Sequence, residues 1–517
     1  MQVAEMAPNI DNPSSPPPSR TDIAIIGSGF SGLAMAVRLK RAGHTDFVVL
    51  ERGGDVGGTW RDNSYPGCAC DVPSHLYSFS FAPNPEWSST FSPQPEIHAY
   101  IRKVANDTGV VGHVRFNCNL EEASWDEAAQ RWRLRTSRGE VSARVLIAAG
   151  GPLSEPSIPN LKGLERFQGK VFHSAQWDHD HDLTGERVAV IGTGASAIQF
   201  VPQIQPKVGT LHVFQRTAPW VMPRRSRPLT RLERAIYRRL PVAQRLMRAS
   251  IYWGREVYAL PLLRAGLKPI TAWMGRSHLK RHVTDPELRR KLTPDYAPGC
   301  KRILISNDYL PALAQPNVAV VTDGIAEVRE HSIVTTDGEE REVDTIIFGT
   351  GFHVSDFPMA HRLRNGAGRT LAERWDGSMS AHKGTTVAGF PNLFLLLGPN
   401  TGLGHTSVVL MAEWQAGYVM RAIDHMEREE LGAVDVRPAA VESWTEAIQR
   451  RMRGTVWLAG GCNSWYLDLQ GHNSTLWPGF TFQFRRALSR FDASSYVGQP
   501  LPATRRRQAA AATSVAA

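Results

Sequence analysis

Two short glycine turns, each set between an apolar run and a helical pattern, restrict what this chain can fold into more than any other feature. The first follows Asp22-Ile23-Ala24-Ile25-Ile26, which reads as a buried parallel strand. The run enters Gly27-Ser28-Gly29-Phe30-Ser31-Gly32, then an apolar-periodic stretch through Leu33, Ala36, Val37 and Leu39. Gly27 permits the turn, Gly29 lets backbone approach a pyrophosphate, and Gly32 lets the helix lie close on the strand. The helix N-terminus offers free N–H groups to phosphate charge. A second strand, Phe47-Val48-Val49-Leu50, ends at Glu51, nineteen residues beyond Gly32. An acid there accepts ribose hydroxyls and suits a ribose without a 2′-phosphate, so FAD or NAD fits and NADP does not.

The second turn differs in one telling position. Strand Arg187-Val188-Ala189-Val190-Ile191 runs into Gly192-Thr193-Gly194-Ala195-Ser196-Ala197 and a helix through Ile198 and Val201. Ala197, in the third glycine's place, still packs a helix on a strand. The next strand, Leu211-His212-Val213-Phe214, ends in Gln215-Arg216-Thr217. An arginine where the acid would stand favours a 2′-phosphate, hence NADP(H). One chain thus carries a non-phosphorylated and a phosphorylated dinucleotide site.

Its 517 residues leave room for about two to four domains. No apolar run approaches the roughly 20 residues of a membrane-spanning helix, and the Pro- and Ser-bearing N-terminus lacks the apolar stretch of a signal peptide. Five cysteines, an odd number, argue against a disulfide framework and for a reducing, cytoplasmic compartment. Cys68 and Cys70 lack the second pair a zinc site needs, so no metal is expected. The net charge of +10 is concentrated: residues 224–291 hold eighteen Lys/Arg against four Asp/Glu. Named nucleic-acid motifs are missing, so no nucleic-acid partner is expected. Within that basic stretch, Leu232, Ile236 and Leu240, then Leu246, Ile251, Trp253 and Val257, repeat at helical spacing, interrupted by Pro241, Pro261 and Pro269. Several helices with a solvated face are expected, in preference to a membrane-binding one.

Two further motifs carry a resemblance. Phe167, Gly169, His173, Trp177 and Asp178 fit the pattern F-x-G-x-x-x-H-x-x-x-W-[P/D]. Gly57-Gly58-Thr59-Trp60, Tyr65-Pro66-Gly67 and Asp71 fit GG-x-W…YPG…D. Both resemble the type I Baeyer–Villiger monooxygenases, among the class B flavoprotein monooxygenases, and the likeness runs from Thr21 to Tyr496.

The resemblance implies an α/β fold of two Rossmann-like dinucleotide-binding domains, for FAD and NADP, with a helical insertion in the NADP domain. The expected layout is a disordered leader (1–20), FAD-binding parts at 21–155 and 346–500, and NADP-binding parts at 156–222 and 299–345. The insertion occupies 223–298 and a disordered tail 501–517. The activity implied is insertion of one oxygen atom of dioxygen beside a ketone carbonyl to give an ester or lactone, through a flavin peroxide stabilised by Arg302 and bound NADP. By the same likeness, Gly58, Thr59 and Trp60 approach the flavin, Asp71 is an active-site carboxylate paired with Arg302, and Lys301 meets the 2′-phosphate. Asn400 belongs to a second flavin loop, Gly398–His405, and Trp465 touches the nicotinamide nucleotide. Pocket walls are expected from the insertion and from Asn473–Pro478. His173 is expected to couple domain positions rather than move protons. Oxygenation of sulfur or nitrogen, and a non-catalytic dinucleotide sensor, stand as the alternatives.

Overall fold

Strand β1 (Arg20–Ile26) lies at the centre of a mixed sheet in the computed structural model, which describes residues 15–263, 268–354, 356–462 and 464–502. The leader through residue 14, the tail from residue 503 and Asn463 lie outside the described residues. β1 runs parallel to β2 (Phe47–Leu50), which is followed outward by β3 (Val114–Arg115). β4 (Leu120–Asp126), β5 (Arg131–Thr136) and β6 (Gly139–Ala148) form an antiparallel meander, and β6 pairs parallel with the other side of β1.

A second sheet, wholly parallel, is built from β7 (Lys170–His173), β8 (Arg187–Ile191) and β9 (Thr210–Phe214) with later strands. β10 (Val221–Met222) and β11 (Leu304–Ile305) pair with each other on either side of the basic helical segment. β12 (Val318–Val321) joins β9, and β13 (Ile325–Val328), β14 (Ser332–Thr335) and β15 (Glu340–Glu342) make a small antiparallel meander. β16 (Thr345–Phe348) then inserts between β8 and β7. The chain returns to the first sheet at β17 (Leu363–Arg364) beside β4 and at β18 (Leu393–Leu395) beside β6. The boundary expected at residue 345 therefore moves, because β16 belongs to the second sheet. Its strand-then-glycine form looks alike in either sheet, so only pairing assigns it.

Alternation places side chains on two layers, as a period of two requires. Ile23 and Ile25 of β1 and Val188 and Val190 of β8 share one continuous buried cluster, which joins the sheets. Ala24 and Ile26 point into a core behind the first sheet, and Ala189 and Ile191 into one behind the second. Between β10 and β11 the basic stretch forms helices Arg231–Arg239, Pro241–Tyr258, Lys268–His282 and Pro286–Lys291, as its prolines suggested.

Gly32 is where the first turn is tightest. A Cβ there would stand 1.9 Å from the Gly27 carbonyl oxygen, a backbone atom that cannot give way. Gly32→Ala is expected to destabilise by about 1–3 kcal/mol through overpacking, read as a fall of several degrees in Tm.

Candidate active site

The β1 turn and the end of β2 form the head of a deep cleft. Gly27 has φ +97°, and a Cβ would lie 2.8 Å from Ala149 O, whereas a Cβ on Gly29 would meet Gly58 Cα no closer than 3.7 Å. Glu51, buried, receives the Ser28 N–H at 2.8 Å and the Ser28 hydroxyl at 2.7 Å on one carboxylate oxygen. Its other oxygen receives Gly53 N–H at 2.8 Å and an Arg61 guanidinium N–H at 2.7 Å. The carboxylate expected to bind ribose thus also braces the turn. Gly58, with φ +53°, starts the helix Thr59–Asp62; Trp60 donates its indole N–H to the Tyr77 hydroxyl at 3.0 Å. Glu51, Gly58, Thr59 and Trp60 all line the cleft.

Farther along the same cleft stands Arg302. Its Nε and Nη2 lie 2.8 and 2.6 Å from Asp71 Oδ2, joining segments 231 residues apart. Asp71 raises the guanidinium above its ordinary range, overcoming the opposing effect of burial. Tyr466 lies against Arg302, and burial pushes its hydroxyl up to about 12. Arg224 ties the Asp71 loop down: it stands over the Phe91 ring at 5.4 Å and donates to Cys70 O at 3.4 Å. Arg255, from the insertion, is lowered by burial and raised next by Asp71. Trp465, 46% exposed, packs on Tyr466 at 4.3 Å and shares the cleft wall with Arg302.

At the second turn Gly192 has φ +110°, and a Cβ there would stand 2.5 Å from Gly349 O, while Gly194 is open. Ala197 packs under Gly349. Thr193 donates to Thr217 O at 3.4 Å. Arg216 is exposed just past β9, and Lys301 lies over the Tyr296 ring at 5.3 Å. Burial and then the Arg216 charge lower the Lys301 ammonium. Neither has a salt bridge among the described residues.

Fingerprint residues occupy the junction of the two sheets rather than the main cleft. Phe167 packs into the core behind the second sheet, and a Cβ on Gly169 would meet Asp344 O at 2.2 Å. His173, beside Phe348 in register, accepts the Ala175 N–H at 3.1 Å; burial pushes its imidazole down to about 4. Trp177 packs on Phe172 and Phe200 at 5.1 and 5.3 Å, and Asp178 pairs with Lys170. Ala175 and Gln176 line a second pocket with Arg52 and Asp62 of the first turn's surroundings.

Asn400 turns away from the cleft that Pro399, Thr401, Gly402 and Leu403 line. Its amide donates to Asn473 O at 2.7 Å and Leu476 O at 3.1 Å, pinning the loop to the expected wall segment. There Ser474 and Thr475 line the cleft with buried hydroxyl oxygens that have no partner among the described residues. Orphaned hydroxyls beside open glycines fit a planar, polar-edged ring such as flavin, since buried polar groups otherwise find partners.

Ser28, Arg61, Tyr466 and Arg255 are not singled out by sequence. Ser28 sits inside the glycine turn and Arg61 directly follows the GG-x-W motif, but their roles depend on where Glu51 lies. The cysteine expectation is corrected: Cys300 and Cys462 form a disulfide across 162 residues. It ties the Lys301–Arg302 segment to the one leading into Trp465, and an odd total cannot show which two thiols meet.

A family model described as flavin-binding monooxygenase-like matches residues 20–363. The chain is 54% identical over 486 residues to a Baeyer–Villiger monooxygenase of Streptomyces coelicolor, covering 93% of each chain. It is 50% identical over 478 residues to one of Pseudomonas aeruginosa, covering 92% of this chain and 90% of that one. Among solved structures, oxidized steroid monooxygenase bound to NADP superposes with a TM-score of 0.82 at 30% identity, covering 93% of this chain and all, 100%, of that one.

Proposed function

Because the chain belongs to the flavin-binding monooxygenase-like family, as a Baeyer–Villiger monooxygenase, we propose that it converts ketones into esters or lactones with Arg302 as its principal catalytic residue. It is a flavin-dependent monooxygenase that uses FAD, NADPH and dioxygen. When bound, the cofactors supply hydride and the oxygen-activating ring that side chains lack.

The chain's own residues do the rest. The first turn and Glu51 hold the dinucleotide that lacks a 2′-phosphate; Gly58, Thr59, Trp60, Ser474 and Thr475 surround its ring. Gly192, Gly194 and Ala197 receive the second dinucleotide, with Arg216, Thr217 and Lys301 at its phosphate and Trp465 at its nicotinamide end. Arg302 would present a fixed positive charge where the bound flavin supplies its oxygen chemistry, a preorganised interaction that would stabilise negative charge developing beside the ketone. Asp71 sets the plane of the guanidinium and moderates its field. A lysine in the same cleft would shed its proton more readily than arginine does.

The observation that carries this reading is Arg302 on the wall of the cleft that begins at the first glycine turn, its guanidinium held by Asp71. Flavin absorbance, ketone-dependent NADPH oxidation and product analysis across linear, cyclic, aryl and steroidal ketones test it. Esters or lactones are expected. Sulfoxides or N-oxides with no ester from any ketone class would move the assignment to sulfur or nitrogen oxygenation.

His173 acts here as a positioning residue. His173→Ala is expected to retain FAD while a larger share of NADPH is consumed without ester, measured as product formed per NADPH. Loss of all flavin in the variant would make the stretch scaffold alone.

A further inference from the structure

The helical insertion turns its apolar side outward. Of the nineteen large hydrophobic residues that stand exposed among the described residues, twelve lie within residues 223–298. In helix Arg231–Arg239, Leu232 and Ile236 are exposed four residues apart, and Leu240 continues the row just beyond the helix end. In helix Pro241–Tyr258, Val242, Leu246, Trp253 and Val257 are 57 to 66% exposed. At 3.6 residues per turn those four fall within an arc of about 60°. Ile251 alone of the apolar residues read as amphipathic there turns inward, against the main core. Phe482, also exposed, meets the Trp253 ring at 6.1 Å and widens the strip. A surface helix of a globular protein ordinarily buries such a stripe.

Charge narrows what can cover it. Residues 231–258 hold seven arginines and two acids. Both acids are committed: Glu233 to Arg227 and the Thr230 cap, and buried Glu256 to the Thr481 N–H at 3.0 Å. Arg231, Arg239 and Arg245 are exposed and form no salt bridge among the described residues. A second copy docking through the same patch would bring these cations together, since a twofold contact joins like to like. No helix among the described residues is long and apolar enough to cross a membrane.

We propose that the two helices from Arg231 to Tyr258 dock in the plane of an anionic membrane surface, apolar stripe in the acyl boundary and arginines at the headgroups. The proposal departs from the solvated-face expectation, because periodicity fixes a stripe's angle but not what its outward side meets. The docked helix also carries Arg255, which feels the charges of Asp71 and, more weakly, of Arg302. A ketone dissolved in lipid would then arrive at the wall of the site. That corollary rests on the proposed ketone activity; docking itself does not.

Flotation of the full-length flavoprotein with vesicles tests docking apart from activity. The protein should float with phosphatidylcholine vesicles containing phosphatidylglycerol and remain below with phosphatidylcholine alone. About 1 M salt, where the screening length is about 3 Å, should release it. Paired Arg239→Gln and Arg245→Gln changes should lower partitioning roughly thirtyfold. Val242→Ser with Leu246→Ser should abolish flotation while flavin content and ketone turnover in lipid-free buffer stay as in the parent. Failure to float with anionic vesicles, or flotation indifferent to these variants, overturns the proposal. So does a lipid-free dimer in light scattering that the serine pair dissociates, since a second copy would then cover the stripe.

Discussion

Arg302→Ala should still reduce its flavin with NADPH but yield ester at a rate lower by about 10²–10³, the usual loss when one preorganised charge donor is removed. In the proposed assignment the nicotinamide dinucleotide is held at the second turn, by Gly192, Gly194 and Arg216, none of which takes part in the Asp71–Arg302 pair. Oxygen transfer, by contrast, needs a positive charge already in place when an oxygen becomes anionic, and Arg302 has that charge secured by Asp71. Removing it leaves the Asp71 carboxylate, only 28% exposed, without its direct ion-pair partner. Stopped-flow absorbance of flavin reduction, beside chromatography of the product, separates the two half-reactions. Arg302→Lys should recover only part of the loss, because one ammonium cannot reproduce the two contacts of Nε and Nη2 with Asp71 Oδ2. Ester formation retained in Arg302→Ala would remove this residue from the chemistry and reduce the pair to a structural one.

What local sterics dictate is legible in the sequence. Gly27, Gly32 and Gly192 sit where a Cβ would strike backbone oxygen at 2.8, 1.9 and 2.5 Å, so their spacing alone announces strand, turn and helix. The contrast between Glu51 and Arg216 is equally local, each ending the second strand of its own unit. Contacts across long separations are not legible from residues. Asp71 and Arg302 stand 231 positions apart, and only the motif around each suggests that they meet. Asn400 belongs to a loop that lines the cleft, yet its side chain serves the loop's anchorage to Asn473 and Leu476. β16 is assigned to the wrong sheet from sequence because a short buried run such as Ile346-Ile347-Phe348 before a glycine looks the same wherever it pairs. The outward stripe from Leu232 to Val257 has the same origin: a helical repeat states which residues share a face, and tertiary packing decides what that face meets.

Replacing both Arg216 and Lys301 with alanine should raise the KM for NADPH by about 10²–10⁴, with NADH far less affected, so that the preference between the two collapses. Each charge-assisted hydrogen bond to phosphate contributes about 1.5–3 kcal/mol, and every 1.4 kcal/mol is tenfold. The two cations already oppose one another, since Arg216 helps lower the Lys301 ammonium. A dianion between them relieves that repulsion as it binds, which is why two side chains that disfavour each other are productive here. Their coupling predicts that the double loss is not the sum of the single losses. It also fixes a pH signature. Lys301 is protonated below its lowered pKa and neutral above it, so kcat/KM for NADPH should fall, as pH rises, earlier than an ordinary lysine would allow. In Arg216→Ala the repulsion is gone, the Lys301 pKa rises, and that falling limb should move to higher pH. In Lys301→Ala the limb should vanish. Equal weakening of NADPH and NADH in the double variant, or a limb unmoved by Arg216→Ala, would place the 2′-phosphate elsewhere on the chain.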